Sequence, residues 1–182
     1  MIMKKNIIIM VLILLVFLTL LCIEQKPKIE LEKTLKITTA FKNGEWIPKK
    51  YTCDGMDLSP PIRIENVSKD VKSFVIIVED PDAPYGVFTH WIAWNITSTT
   101  IPEGIPKIKD VREPIKMKQG LNDFGEIGYR GPCPPPGKPH RYFIKVYALD
   151  IYLTGDYDKE SLLRAIEGHV IQYGEIYGIY GR

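Results

Sequence analysis

From Leu35 onward, short apolar runs are separated by glycine- and proline-rich breaks, the pattern of strands joined by turns. Leu35-Lys36-Ile37-Thr38-Thr39-Ala40-Phe41 alternates apolar and polar positions and predicts a half-buried strand. Asn43-Gly44 is a turn signal that would close a hairpin onto Trp46-Ile47. Ile62-Arg63-Ile64 begins another short strand. The strongest strand is Ser73-Phe74-Val75-Ile76-Ile77-Val78-Glu79, whose five consecutive apolar, mostly β-branched residues imply burial on both faces. His90 opens a second apolar run, through Ile96, and the two-residue repeat puts His90, Ile92 and Trp94 on one face. In His140 to Leu149 the same repeat puts His140, Tyr142, Ile144 and Val146 together.

The stretch from Thr97 to Asp123 lacks periodicity and reads as a long excursion with little regular structure. Asp158 or Ser161 can cap a helix over Leu162 to Glu167, extending past Gly168 to about Tyr173. The aromatic, glycine-rich tail after Tyr177 is expected to pack on the domain. The fold class is therefore mostly antiparallel β with one principal C-terminal helix.

Residues 1–23 are a different material. Lys4-Lys5 precedes an uncharged, almost wholly apolar run from Asn6 to Ile23, the arrangement of a signal peptide or a single membrane anchor. Cys22 ends it in a context close to a lipidation motif, with Leu21 where a small residue would be expected. Residues 24–34, charged and containing Pro27, read as a linker, and 35–182 as one domain, secreted or held on the outer side of a membrane. With 24 basic and 22 acidic residues the net charge is +2, and no basic stripe suggests nucleic-acid binding.

Chemistry concentrates in two segments: Asp80-Pro81-Asp82-Ala83-Pro84 with His90-Trp91, and Gly131-Pro132-Cys133-Pro134-Pro135-Pro136-Gly137-Lys138-Pro139-His140-Arg141-Tyr142. Each adjoins a buried strand, where a sheet holds side chains firmly while loops leave access. Two imidazoles and a phenol offer donors to a phosphate, sulfate or carboxylate, with Asp80 orienting a histidine and expected to raise its pKa. The prolines stiffen the rims and withhold competing N–H groups, and Pro81 or Pro84 could take the cis form. No H-x-x-x-H or C-x-x-C spacing supports a metal, and no cofactor is expected. Asp80 with His90 or His140 could instead serve a hydrolase, with Cys133 or a serine as nucleophile, although no G-x-S-x-G motif occurs. Cys53 and Cys133, in separate loops, stand equally as a disulfide or as two buried thiols.

These two segments resemble the signatures of the phosphatidylethanolamine-binding protein family. Cys53-Asp54-Gly55-Met56-Asp57-Leu58-Ser59-Pro60-Pro61 and Asn122-Asp123-Phe124-Gly125 are similar to its prokaryotic Raf-kinase-inhibitor-like branch. The resemblance spans about Leu35 to Arg182. It implies a large central antiparallel sheet, a smaller sheet packed on it and a C-terminal helix. It also implies an anion pocket at Asp80, His90, Pro135, His140 and Tyr142, with Ala83 and Pro84 at its edge. The function implied is non-enzymatic binding of a phosphorylated ligand or phospholipid headgroup. The alternatives are a hydrolase and a protease or protein inhibitor that uses Thr97–Asp123 as its contact surface. Kinase regulation does not carry over, because no motif here encodes that partner.

Overall fold

The computed structural model describes residues 34–182. The predicted signal or anchor at 1–23, Cys22, and the linker up to residue 33 lie outside the described residues. The elements run β1 (Lys36–Thr38), β2 (Ile62–Glu65), β3 (Ser73–Asp80), β4 (Phe88–Ile96), β5 (Thr100–Ile101), β6 (Asp110–Val111), β7 (Met117–Gln119), β8 (His140–Leu149), α1 (Lys159–Ile166) and β9 (Val170–Tyr180). They build a six-stranded antiparallel sheet, ordered β6-β7-β4-β3-β8-β9, and a three-stranded sheet, ordered β1-β2-β5.

All eight residues of β3 are buried, because the strand is central and both of its faces are covered. Phe74, Ile76 and Val78 join the larger core, which also holds Ile37, Ile62 and Ile64 of the small sheet. Val75 and Ile77 point the other way, to Leu162 and Ile166 of α1. Burying each such side chain contributes roughly 1.5–3 kcal/mol, so the uninterrupted apolar run signals two covered faces.

Helix α1 starts at a reciprocal cap. Ser161 N donates to Asp158 Oδ1 at 2.8 Å, and Asp158 N donates to the Ser161 hydroxyl at 3.0 Å. The helix stops at Gly168, whose φ of +81° is a left-handed exit. It does not extend to Tyr173: residues 170–180 form β9, an eleven-residue strand paired with β8 from Leu149↔Val170 to His140↔Tyr180. The inward positions of β9 are Gly174, Ile176, Gly178 and Tyr180, a two-residue repeat in which two positions lack side chains. Those glycines admit the segment that covers this edge. A Cβ on Gly178 would stand 2.5 Å from Ile47 Cγ1 and 2.7 Å from Phe41 Cε2.

The predicted hairpin onto Trp46 does not form. Gly44 turns the chain with φ of +79°, but β1 pairs with β2, and Trp46 bridges Ile179 in parallel. Leu35 N, Gly44 N and Ile47 N donate to the carbonyls of Tyr173, Tyr177 and Ile179, so the long β9 edge is occupied. The excursion from Thr97 to Asp123 is more regular than its sequence suggests: it contains β5, β6 and β7. The cis peptide among the described residues is Glu113–Pro114; those preceding Pro81 and Pro84 are trans.

Candidate functional site

Asp80 is the last residue of β3, where Pro81 ends the ladder by removing a donor. Its Oδ1 accepts from Asp82 N at 2.8 Å, folding the proline turn back on itself, and its Oδ2 accepts from His140 Nδ1 at 2.7 Å. Asp82 continues the attachment by accepting from Arg141 N, Nε and Nη2 at 2.9, 2.8 and 2.7 Å. The Arg141 guanidinium holds the Asp82 carboxyl down at about 2. Two carboxylates thus fasten Asp80–Pro84 to the start of β8.

His90 departs from the two-residue repeat. Val78 pairs with Trp91 but Glu79 pairs with Thr89, so the register shifts by one residue and His90 is the one left over. Ile92 and Trp94 face the helix-side core as expected, while the His90 ring turns to the opposite side. There it lies edge-on to Tyr142, Phe124 and Phe88, with ring centroids 5.2, 5.3 and 5.4 Å away. His90 Nδ1 is 2.7 Å from the Arg130 carbonyl, which can only accept, so this nitrogen carries the proton. Burial holds the His90 pKa below the ordinary imidazole value, more strongly than the Arg130 carbonyl and Asp80 raise it.

Tyr142 is 1% exposed, and its buried hydroxyl makes no hydrogen bond of good geometry, with the Asp80 carboxylate near enough to act on it. Burial, and then the charge of Asp80, keep its pKa far above the ordinary phenol value, so it remains an O–H donor. The far wall is braced from behind. Cys53 and Cys133 are bonded, with Cα atoms 5.4 Å apart. Gly131 N donates to Asp57 Oδ1 at 2.6 Å, Cys53 N to the Pro132 carbonyl at 3.1 Å, and Arg182 Nε to the Pro134 carbonyl at 2.8 Å.

A third segment completes the enclosure. Asn122 Oδ1 accepts from Phe124 N and Glu126 N, Asp123 Oδ2 accepts from Thr89 N at 2.6 Å, and Gly125 takes φ of +77°. The turn thereby sets Phe124 against His90. Asn122-Asp123-Phe124-Gly125 stands out in the sequence, but its place at the site depends on pairing with the start of β4.

The result is a cavity of about 460 Å³. It is lined by all seven residues singled out from sequence: Asp80, Ala83, Pro84, His90, Pro135, His140 and Tyr142. Sequence reasoning missed Phe88, Asp123 and Phe124 as wall residues. In both imidazoles Nδ1 is already committed, to Arg130 O or to Asp80, so Nε2 is the ring nitrogen left to face a ligand. Among the described residues no group of three His, Cys, Asp or Glu could hold a metal ion, and no helix is long and apolar enough to cross a membrane.

A small sheet packed on a large one, with a cavity at the ends of the central strands, defines a two-sheet, mostly-β protein with a ligand-sized pocket. The chain belongs to the phosphatidylethanolamine-binding protein family, whose model matches residues 37–181. It is 62% identical over 162 residues to a UPF0098 protein of Archaeoglobus fulgidus, covering 88% of this chain and 55% of that protein, little more than half its length. A UPF0098 protein of Pyrococcus horikoshii is 54% identical over 182 residues, covering 98% of this chain and 90% of that protein. A crystallised phosphatidylethanolamine-binding protein homologue from Chlamydia trachomatis superposes with a TM-score of 0.74 at 40% identity, covering 83% of this chain and 99% of that one. E. coli YbcL, described as a member of the mammalian family, gives 0.73 at 31% identity, covering 82% and 99%.

Proposed function

We propose that this domain is a non-enzymatic binding protein whose cavity holds a small oxyanion of the phosphate type. The observation that carries the reading is the convergence of Asp80, His90, His140 and the buried Tyr142 hydroxyl on one cavity. A buried phenol that stays protonated can donate to a ligand oxygen at the cavity wall. The proline-rich walls are rigid, so little ordering entropy is lost on binding. The family membership supports ligand binding in general, and the names of the relatives suggest a phosphorylated group. The test is an NMR titration of the histidine ring signals with inorganic phosphate. His90 ring signals shift in the native protein and stay fixed in His140→Ala; equal shifts in both would sink the reading.

One observation favours a second reading. Asp80 and His140 form the hydrogen-bonded carboxylate–imidazole pair of a general base. Against it, Cys133 is held in a disulfide and the Tyr142 hydroxyl is hard to ionise, which leaves the pair no obvious nucleophile among the cavity's side chains. Turnover of a p-nitrophenyl ester that is lost in Asp80→Asn would establish the hydrolase. For location, the apolar run at 6–23 and the disulfide support a domain on the outer side of a membrane or secreted. Protease accessibility of the domain in intact cells decides that point.

A further inference from the structure

Resting on the reading of residues 6–23 as a membrane anchor, we propose that the outer face of β8 and β9 lies on the bilayer, seated in its interfacial layer by a row of aromatic side chains. Strand register builds this face. β8 and β9 pair Phe143 with Tyr177, Lys145 with Glu175 and Tyr147 with Tyr173, each directly across the ladder. Their neighbours Tyr142, Ile144, Val146 and Ile176 belong to the larger core, so these pairs point the other way. The Phe143 and Tyr177 rings stack with centroids 5.1 Å apart, and the Tyr147 and Tyr173 rings lie 5.0 Å apart. Trp46 extends the row: it bridges Ile179, while its neighbour Ile47 is the one turned to the core.

Helix α1 leaves most of this face open. Its buried residues Leu162 and Ile166 pack with Val75, Ile77, Ile92 and Trp94 of β3 and β4, and that cluster reaches β8 and β9 only at Tyr147, Leu149 and Val170. Phe143, Tyr173, Tyr177, Ile179 and Trp46 belong to neither core. Trp46 is 56% exposed and the other four are partly exposed. A contiguous apolar patch of this kind marks a surface that meets something. Its chemistry suits the boundary between water and lipid rather than hydrocarbon. Tyrosine and tryptophan carry an apolar body and a polar tip, and Arg141 and Lys145 each stand 5.9 Å from the Phe143 ring.

The point where the chain enters the domain selects the occupant. Thr34 N and Leu35 N both donate to the Tyr173 carbonyl at 3.0 Å, so the tether joins the domain beside one of the aromatic pairs. Residues 24–33, fully extended, reach at most about 35 Å back to the apolar run. A short tether attached at β9 holds this face at a high effective concentration near the lipid, where modest contacts suffice to seat it.

The test is tryptophan quenching on the full-length chain reconstituted in vesicles of phosphatidylcholine and phosphatidylglycerol. Trp91 and Trp94 are 0% exposed, and subtraction of the Trp46→Phe signal isolates the emission of Trp46. Phosphatidylcholine brominated near the headgroup end of its chains is expected to remove most of that emission, and aqueous iodide to remove little. Emission untouched by the brominated lipid and open to iodide overturns the proposal, because the face is then bare. Emission untouched by the lipid but shielded from iodide overturns it too, and assigns the face to a second copy of the chain. Flotation of the same vesicles separates the two readings. A chain that floats without lipid contact at Trp46 sinks this proposal alone, and a chain that does not float takes the anchor reading down with it.

Discussion

Asp80 and His140, sixty positions apart in the chain, meet through a 2.7 Å hydrogen bond from the imidazole Nδ1 to the carboxylate. The bond ties the end of one buried strand to the start of its neighbour and sets which ring nitrogen is left for a ligand. Because Asp80 also accepts from Asp82 N, one side chain organises both the lip and the chemistry of the cavity.

This arrangement predicts an uncommon tautomer that can be read directly. In long-range proton–nitrogen spectra near neutral pH, His90 and His140 should both appear protonated at Nδ1. Asp80→Ala should abolish that signature for His140 and leave it for His90, which is held by a backbone carbonyl. Loss of a buried acceptor should also lower stability by about 1–3 kcal/mol in urea unfolding.

Acid should loosen the lip before it unfolds the core. The Asp82 carboxyl is depressed to about 2 in the fold, against an ordinary value of 3.8. A depressed carboxylate contributes stability that is present above its unfolded value and lost as pH falls from about 4 to about 2. Both partners are partly exposed, so screening reduces the contribution to about 1 kcal/mol. Native protein and Arg141→Ala, compared by urea unfolding at pH 6 and pH 2.5, should differ clearly at the higher pH and by much less at the lower.

Removal of the disulfide should weaken both stability and binding. The bond closes a sequence separation of 80, for which chain entropy gives at most about 4–5 kcal/mol and typical cases give about 2–4. Cys133 also lines the cavity. The double variant Cys53→Ser/Cys133→Ser should therefore lose a few kcal/mol in urea and several-fold in phosphate affinity. A variant as stable as the native protein would show the bond to be incidental.

Glu79 should prove to be the clasp between sheet and helix. It points away from the cavity and pairs with Lys145 and with Lys159 at 2.9 Å. Burial acts to raise its pKa, but the two lysines together prevail and lower it. Lys159 opens α1, where the helix dipole disfavours a cation, so its position depends on Glu79. Glu79→Ala leaves two lysines facing each other and should cost about 3 kcal/mol in thermal or urea unfolding, with little change in ligand affinity.

Much of this was legible along the chain because its causes are local. The alternation in His140–Leu149, the apolar block of β3, the cap at Asp158 and the proline turns each depend on neighbours within a few residues. Asp80, His90, His140 and Tyr142 were legible from their places beside strong strands, and Ala83, Pro84 and Pro135 through the family resemblance. The misreadings share an opposite cause. Val170–Tyr180 resembles a glycine-spotted helix end until β8 lies beside it, and its glycines make sense only once Phe41 and Ile47 pack there. His90 falls on the wrong face by counting, because the register shift against Glu79 is a property of two strands.

The sequence by itself determined the fold class, the strands flanking the site and the residue types gathered there, because periodicity and turn chemistry act over short distances. Tertiary structure decided which atoms of those residues a ligand meets. It turned His90 across the sheet, bonded both Nδ1 atoms inward and buried the Tyr142 hydroxyl beside them. Hydrogen-bond polarity at a buried site depends on partners from distant strands, and only the folded chain brings those partners within 3 Å.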